Sequence, residues 1–356
     1  MRFSSRLDHV RRSLTELQLD AWIVTDLQDI RYLSGFSGST GHVLIRHDRA
    51  TIFVDFRYVT QAAEEVVGFE VTPVTSSVWD SLVDCAKGWK VARMAFVPSD
   101  LSFEQYMKLK EKLEGVELVG IPSLAGPLRM IKDSEEAEAI RRSCQLVSQS
   151  LEEILSLVRP GMTEMEIAAL FEYNLKMNGA DREGFETIVA SGPRSAMPHA
   201  HASQRAIRSG EFLKIDGGSR WRGYHSDITR TVVLGSPTSR EREIFQIVLE
   251  AHDQALAAVR TGLVAEDLDG VARKVIEQAG YGSYFGHGTG HGVGLSIHEE
   301  PRIGKGSRTA LAEGMTFTIE PGIYLPGLGG VRIEDTILLT ESGAEVLTTA
   351  SREMTL

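Results

Sequence analysis

The stretch YFGHGTGHGVGLSIHEEP, residues 284–301, is the part of the sequence around which the rest of the chain is organised. Glycine occupies every second position from 286 to 294, so the backbone can bend tightly or approach a ligand closely. Three histidines, His287, His291 and His298, project from this bare backbone. Because imidazole binds divalent metals and transfers protons near neutral pH, the stretch predicts a metal or catalytic site. The same glycines make it a poor candidate for a core strand.

The clustering of the histidines indicates a functional site, since a single histidine is usually structural or exposed. Six of the ten fall within one hundred residues, among acidic residues: His199, His201, His225, His287, His291 and His298. Other motifs fit poorly, because the glycine spacing is not G-x-G-x-x-G and no P-loop lysine follows. The segment HEEPR at 298–302 also lacks the second histidine of H-E-x-x-H.

Composition and charge limit the class of protein. The chain has 356 residues, is 42% hydrophobic and 24% charged, and is therefore expected to form a globular protein of two domains. A net charge of −11 argues against nucleic-acid or anionic-membrane partners. No apolar run has the length of a membrane span and the first residues lack a secretory pattern, so we expect a cytoplasmic protein. Cys85 and Cys144 fit reduced, packing cysteines.

The alternation of helix-like and strand-like segments predicts an α/β domain over residues 1–126, in the role of a cap or an oligomerisation module. Proline and glycine interrupt the pattern near 121–132 and place a domain boundary there. Residues 127–356 form the second predicted domain. Its helices open at capping boxes that begin at Asp133, Thr163 and Thr238. Its predicted strands span 186–191, 212–217, 227–234, 316–324 and 331–340.

Four carboxylates lie within these apolar strands, where an acid is costly to bury unless it is paired or binds a metal. Asp216 and Asp227 flank one glycine-containing connection and Glu320 and Glu334 flank another, which predicts two hairpins. A single acid of this kind could lie on an edge strand with its side chain in water. Four such acids in two matching strand pairs favour a metal site instead. Four carboxylates and one imidazole favour Mn²⁺, Co²⁺, Zn²⁺ or Fe²⁺, and they suffice for two ions. The predicted reaction class is metal-assisted hydrolysis.

Residues 132–345 resemble the catalytic domain of the pita-bread metallopeptidases, the family of methionine aminopeptidase, aminopeptidase P, prolidase and creatinase. The matching stretches are IVASGPRSAMPHA (188–200), FLKIDGGSRWRGYHSDITRTVVLG (212–235), GHGTGHGVGLSIHEEP (286–301), FTIEPGIY (317–324) and GVRIEDTILLT (330–340). GFSGSTG (35–41) and DFRYVTQA (55–62) are similar to the N-terminal domain of aminopeptidase P. The resemblance implies a two-domain α/β protein with a creatinase/prolidase-like N-terminal α/β domain and a pita-bread α+β catalytic domain.

The resemblance also implies a dinuclear centre with two divalent ions, Mn²⁺ first and Co²⁺ or Zn²⁺ as alternatives. The implied ligands are Asp216, Asp227, His291, Glu320 and Glu334, of which Asp227 and Glu334 bind both ions. Glu320 is also the implied general base or proton shuttle. His199 and His298 are implied to orient the substrate and stabilise the tetrahedral intermediate, and Arg332 to orient a ligand carboxylate. His287, His201 and His225 are not implied ligands.

The function that this resemblance favours is an Xaa-Pro aminopeptidase acting on proline-containing peptides, with Xaa-Pro dipeptidase (prolidase) as the alternative. Methionine aminopeptidases generally lack the N-terminal domain, and creatinase lacks the carboxylate ligand set, which argues against a creatinase-like amidinohydrolase. The complete ligand set likewise argues against a catalytically dead binding protein. Trp221, Tyr224, Phe285 and Tyr324 are candidate pocket walls, with core packing expected for at least half of them. The resemblance implies a homodimer.

Overall fold

The computed structural model describes residues 2–356, with side chains from residue 3 onward. The chain divides into two compact units, one ending at Arg129 and the other beginning at Met130. Within residues 2–356, no helix is both long and apolar enough to cross a membrane. Cys85 and Cys144 are free thiols, as expected.

The first unit is built on a six-stranded mixed sheet with the strand order β4-β3-β2-β1-β5-β6. The strands are β1 (Ala21–Val24), β2 (His42–Arg46), β3 (Ala50–Asp55), β4 (Glu70–Val74), β5 (Arg93–Phe96) and β6 (Glu117–Gly120). The helices are α1 (Arg2–Glu16), α2 (Leu27–Ser34), α3 (Val59–Glu65) after a 3₁₀ turn (Phe56–Tyr58), α4 (Val78–Gly88) and α5 (Phe103–Lys112). The prediction of an α/β unit is confirmed, although α2 was not predicted from the sequence.

Long capped helices pack on the sheets of the second unit. They are α7 (Ser134–Leu157), α8 (Glu164–Met177), α9 (Ser239–Ala258) and α10 (Ala265–Gln278), with the short α6 (Gly126–Met130) at the division between the units. The capping boxes predicted at Asp133, Thr163 and Thr238 are all formed. Each such cap contributes about 1 kcal/mol by satisfying amide groups that a helix leaves unpaired at its first turn.

The strands of the second unit form several antiparallel sheets. They are β7 (Arg182–Glu183), β8 (Ile188–Ser191), β9 (Phe212–Gly217), β10 (Ser219–Trp221), β11 (Tyr224–His225), β12 (Ile228–Val233), β13 (Gly290–Gly292), β14 (Glu299–Ile303), β15 (Thr316–Ile319), β16 (Gly322–Leu325), β17 (Gly329–Arg332), β18 (Asp335–Thr340) and β19 (Gly343–Val346). The sheets have the orders β12-β9-β8, β14-β13-β15-β18-β19, β16-β17 and β11-β10-β7. Two further 3₁₀ helices span Gly192–Ala196 and Gly282–Tyr284.

Two apolar cores support these sheets. In one, α7 and α8 cover β8, β9 and β12, and Phe171 of α8 is fully buried against Gly217. In the other, α9 and α10 cover β15 to β18, with Val248, Ile276 and Phe317 fully buried. The acidic strand ends are therefore carried on a packed and rigid framework.

Two of the strands predicted as continuous are interrupted. The predicted strand 316–324 is broken between β15 and β16 at Glu320-Pro321, and the predicted strand 331–340 is broken between β17 and β18 at Ile333-Glu334. Proline has no N–H for a strand ladder, which accounts for the first break. At each break a carboxylate residue, Glu320 or Glu334, lies next to the end of a strand and outside the regular strand pairing.

The glycine-rich stretch does contain a strand in a sheet, so the expectation that it is a poor core strand was wrong. β13 lies between β14 and β15. A Cβ atom at Gly290 would overlap the carbonyl oxygen of Thr318, and one at Gly292 would overlap that of Glu300. The neighbouring strands β14 and β15 approach β13 so closely that only glycine fits at these two positions.

Candidate metal and catalytic site

The two predicted antiparallel strand pairs are formed and each places its two acids at one end, but neither is a simple hairpin, because β10-β11 and β16-β17 form within the two connections. β9 pairs with β12 so that Gly217 faces Ile228, which puts Asp216 and Asp227 beside the same end of the ladder. β15 pairs with β18 so that Ile319 faces Asp335, which brings Glu320 and Glu334 together in the same way. Strand register therefore explains how acids far apart in sequence converge.

His291 comes from β13, whose Gly292 faces Phe317 of β15. Its Nε2 lies 3.5 Å from Asp227 Oδ2 and 3.5 Å from Glu320 Oε1. Ligand atoms of Asp227, His291 and Glu334 all lie within 4.8 Å of one another. Asp216 borders the same cavity, so all five predicted ligands lie around one space.

The electrostatics of this cluster fit a divalent cation. Burial, followed by the charge of Glu334, raises the pKa of Asp227 well above its usual range. Burial and Glu320 raise the pKa of Glu334 in the same way. In the part of the chain that the structure describes, the buried Asp227 Oδ1 has no hydrogen-bond partner. Buried acids that repel one another and lack a partner call for bound positive charge, and this oxygen-rich donor set suits hard and borderline dications.

Three of the candidate ligands are oriented by a neighbouring group. Arg332 Nη2 pairs with Asp216 Oδ2. Two hydroxyl groups, those of Thr229 and Thr318, donate to Glu334 Oε2 (2.6 Å) and Glu320 Oε1 (3.2 Å) respectively. Neither threonine was predicted from the sequence. Because strand side chains alternate, their positions two residues after Asp227 and two before Glu320 were the signal that could have found them.

His291 is itself prepared for metal binding. Its Nδ1 lies 3.1 Å from the carbonyl oxygen of Gly292, which leaves Nε2 towards the acids. Burial lowers the pKa of His291, which favours the neutral imidazole that binds metals. A fixed ring orientation and a neutral ring are the two properties that a metal-binding histidine needs.

Arg332 lies at the centre of a buried network that reaches His287. Arg332 Nε donates to Thr229 Oγ1 (2.9 Å) and Nη1 donates to Tyr324 Oη (2.8 Å). Burial alone would lower the pKa of Arg332, but Tyr324 and Asp216 outweigh it and raise the pKa well above its usual value. Burial also raises the pKa of Tyr324 to about 12, and its hydroxyl lies 2.8 Å from His287 Nε2. Arg332 therefore stays charged and links Asp216 to the cavity wall.

The remaining histidines separate into two groups. His199 and His298 border the cavity, and the His298 ring lies 4.2 Å from the His291 ring between centroids. Burial, followed by the charge of His291, lowers the pKa of His298. His225 and His201 lie elsewhere: the Nδ1 of His225 lies 3.1 Å from the carbonyl oxygen of Gly294, and that of His201 lies 2.8 Å from Glu186 Oε1.

The cavity has a volume of about 620 Å³ and an apolar wall that was not predicted from the sequence. That wall consists of Phe185, Ile188, Pro198 and Ile297. None of the candidate walls Trp221, Tyr224, Phe285 and Tyr324 is among the described residues that line the cavity, whereas the expectation of core packing for at least half of them is confirmed. Trp221 and Phe285 pack against the apolar cores, and the hydroxyl groups of Tyr224 and Tyr324 bond to Glu136 and Arg332. Buried aromatic residues near the site in sequence serve packing and orientation instead.

Residues 138–341 match the metallopeptidase family M24. The chain belongs to this family. Residues 6–131 match the creatinase/prolidase N-terminal domain. The expected architecture, a creatinase/prolidase-like N-terminal domain followed by a pita-bread catalytic domain, is thereby confirmed, and so is the expectation of a metallo-exopeptidase.

Relatives of this M24 member extend over almost the whole chain. An Xaa-Pro dipeptidase from Pyrococcus furiosus is 41% identical over 350 residues, covering 98% of this chain and 99% of that protein. The solved structure of an Xaa-Pro dipeptidase from Bacillus anthracis gives a TM-score of 0.96 at 38% identity, covering 99% and 100%. An X-Pro aminopeptidase from Thermotoga maritima gives 0.89 at 37% identity, covering 97% and 100%.

Proposed function

We propose that this M24 metallopeptidase is an Xaa-Pro dipeptidase, which hydrolyses the bond between a first residue and a C-terminal proline. The proposal rests on one observation, the guanidinium of Arg302 at the cavity, and the two dipeptidases among the relatives support it. It departs from the aminopeptidase expected from the sequence and takes up the dipeptidase alternative. The substrates would be proline-containing dipeptides.

Arg302 is a positive group in a cavity otherwise rich in acids. Of the arginines that line the cavity, Arg332 is buried and bonds to Asp216 and Tyr324. Arg302 is exposed, and among the described residues its side chain makes no hydrogen bond or ion pair. A dipeptide differs from a longer peptide in carrying a free carboxylate directly after proline. A guanidinium without a partner is the group best suited to bind that carboxylate.

The site residues have distinct proposed roles. Asp216, Asp227, His291, Glu320 and Glu334 hold two divalent ions, Mn²⁺ first and Co²⁺ or Zn²⁺ as alternatives. When bound, such ions polarise a carbonyl group and make water a better nucleophile. Glu320, which accepts a hydrogen bond from Thr318 at Oε1, takes up and passes on a proton. His199 and His298 donate hydrogen bonds to the substrate as its carbonyl oxygen gains charge, and Arg332 fixes Asp216.

The apolar wall suits a proline side chain. Phe185, Ile188 and Ile297 offer hydrocarbon surface to the pyrrolidine ring. The proline nitrogen has no N–H, so a site for it needs shape rather than a hydrogen-bond acceptor at that atom. The wall would also help to exclude water from the acids when a substrate is bound.

Xaa-Pro aminopeptidase is the second candidate, favoured by the similarity to the Thermotoga maritima structure. Purified protein should be assayed on an Xaa-Pro dipeptide and an Xaa-Pro-Xaa tripeptide with Mn²⁺, Co²⁺ or Zn²⁺ added. We expect turnover of the dipeptide and little turnover of the tripeptide. Preference for the tripeptide would make the chain an aminopeptidase, and no turnover of either would refute both candidates.

Replacing Arg302 by Met is expected to raise KM for an Xaa-Pro dipeptide about 10- to 100-fold, with a smaller change in kcat. The loss of a charge-assisted hydrogen bond of about 1.5–3 kcal/mol gives this range. The measurement compares the dipeptide with the same dipeptide amide, which lacks the carboxylate. An equal rise in KM for both substrates would contradict carboxylate binding. Arg308→Met, which alters an exposed arginine that pairs with Glu266, is the matched control.

The homodimer and the cytoplasmic location expected from the sequence remain predictions. Light scattering on the eluting protein would measure the mass, and a value near 78 kDa, twice the 39.1 kDa of one chain, would support the dimer. A value near that of one chain would refute it.

A further inference from the structure

A lysine lies inside the strand that carries Asp216. Lys214, on β9, is fully buried and its Nζ approaches three backbone carbonyl oxygens. The distances are 3.2 Å to Ser195, 2.8 Å to Met197 and 3.4 Å to Pro198. An ammonium group has three protons, so it can donate one to each of these acceptors.

The three carbonyl groups belong to the segment that runs directly into His199. Arg332 Nη1 also lies 3.4 Å from the Pro198 oxygen, so two cations face this short segment. Two of its side chains are poorly packed, since that of Met197 is exposed and that of His199 is exposed towards the cavity, whereas Ser195 is buried. Burial of apolar side chains therefore restrains these two residues little. The hydrogen bonds to the backbone carbonyl groups contribute more of the restraint.

The flanks of the same loop are held by a different buried group. Glu164, the first residue of α8, accepts hydrogen bonds from Ser191 Oγ (2.8 Å), Arg194 Nε (3.0 Å) and Ser203 Oγ (2.6 Å). These bonds fix the loop before and after His199. Lys214 restrains the stretch between the two flanks at three carbonyl groups, and Arg332 adds one bond at Pro198. The Ser195 hydroxyl group, which donates to the Gly192 oxygen (2.6 Å) and accepts from the Gly330 amide (2.8 Å), fixes the start of the stretch.

Burying a lysine is unfavourable in itself, which makes its presence informative. The three carbonyl oxygens that accept hydrogen bonds from the Lys214 ammonium group offset part of the cost of burying it. The strand does not need a lysine on this face, since Phe212, two residues earlier on the same face, is an ordinary buried apolar residue. A cation that is costly to bury and bonds only to one loop serves that loop.

We propose that Lys214 is a positioning residue, whose ammonium group holds the segment Ser195–Pro198 so that His199 faces the substrate carbonyl group. The proposal rests on the proposed function in that His199 acts on the substrate. Its rival is an electrostatic role, in which Lys214 offsets the negative charge around Asp216 and thereby alters metal binding.

A double-mutant cycle separates the two roles. Lys214→Met retains the length and burial of the side chain but removes every donor, and Lys214→Gln retains two N–H donors. We expect Lys214→Met to lower kcat/KM about 10- to 100-fold, the cost of a misplacement of about 1 Å. We expect Lys214→Gln to lower it less. In a His199→Ala background, Lys214→Met should cause less than a twofold further loss, because the group that it positions is gone.

Metal content and the imidazole signal of His199 supply independent readouts. We expect full metal content in Lys214→Met, together with a shifted His199 proton resonance. Lys176→Met, on the exposed face of α8, is the control that should leave activity and the resonance unchanged. Full additivity with His199→Ala, or loss of metal, would overturn the proposal in favour of the electrostatic role. Unfolding of both Lys214 variants by circular dichroism would also overturn it, since Lys214 would then be needed for the core.

The kcat/KM values of the double-mutant cycle are measured with whichever peptide the protein cleaves. A preference for tripeptides would refute the dipeptidase assignment and leave the coupling between Lys214 and His199 measurable. A coupling of zero with normal dipeptide turnover would refute the positioning role alone.

Discussion

Asp227→Ala or Glu334→Ala is expected to remove both metal ions and to lower kcat/KM about 1000-fold or more. Both side chains are buried, belong to the three-residue cluster and are proposed to bind both ions. Metal ions contribute several kcal/mol of charge stabilisation in hydrolytic reactions, and about 4 kcal/mol corresponds to a factor of about 1000. Metal content per chain, measured by elemental analysis after dialysis, is the first readout, and peptide turnover is the second.

The matched control is Glu138→Ala, which alters an exposed glutamate on α7. It should keep the metal content and the turnover of the unaltered protein. An Asp227→Ala or Glu334→Ala variant that kept two ions and full activity would refute the shared-ligand roles. Loss of one ion only would assign the replaced residue to a single ion.

Asp335→Ala is expected to lower the free energy of unfolding of the second unit by about 3–5 kcal/mol, the usual result of removing one partner from a buried ion pair. Asp335 is fully buried, although it directly follows the candidate ligand Glu334. Its carboxylate accepts hydrogen bonds from Arg230 (2.7 Å), Thr348 (2.6 Å) and Arg352 (2.8 Å). Urea unfolding of the whole chain, followed by circular dichroism, measures the change.

Lowering the pH should remove the contribution of Asp335 to the free energy of unfolding. Burial alone would raise the pKa of Asp335, but Arg230 and the neighbouring cations outweigh it and hold the pKa well below its usual range. An acid with a lowered pKa in the folded state stabilises the fold above its unfolded pKa of about 3.9 and ceases to do so as the pH falls below that value. The difference between the unaltered protein and Asp335→Ala should therefore be constant near neutral pH and shrink below about pH 4.

Asp253→Ala is the control for both measurements. Asp253 lies 3.4 Å from Arg352 in the same region, but its side chain is half exposed. Exposed ion pairs contribute about 0–1 kcal/mol, so a small loss is expected. A loss as large as that of Asp335→Ala would show that proximity to Arg352, rather than burial of the carboxylate, determines the effect.

The features that could be predicted from the sequence are those with local signals. Capping boxes follow from residues three apart, as at Thr163 and Glu166, and they are formed. The antiparallel strand pairs follow from two apolar strands around a glycine-containing connection, each with an acid at a matching position. The convergence of these acids could be expected because burying several of them separately would be unfavourable.

The features that could not be predicted depend on distant parts of the chain. Phe185 and Ile188 look like ordinary core residues, and only the folded structure shows that they line the cavity. Lys214 reads as a break in an apolar strand, because its carbonyl partners lie 16 to 19 residues earlier. The strand at Gly290–Gly292 was missed because glycine disfavours strands except where a neighbouring chain leaves no room for a side chain.

The closeness of β13 to its neighbours also limits how this enzyme can evolve. Any side chain at Gly290 or Gly292 must displace a backbone carbonyl group, so we expect mutations there to shift the strand that carries His291 and to impair the protein whatever the substrate. Phe185, Ile188 and Ile297 border the cavity but carry no ligand. New peptide preferences are therefore expected to arise by exchange of these wall residues, while the glycine positions stay invariant across divergent descendants.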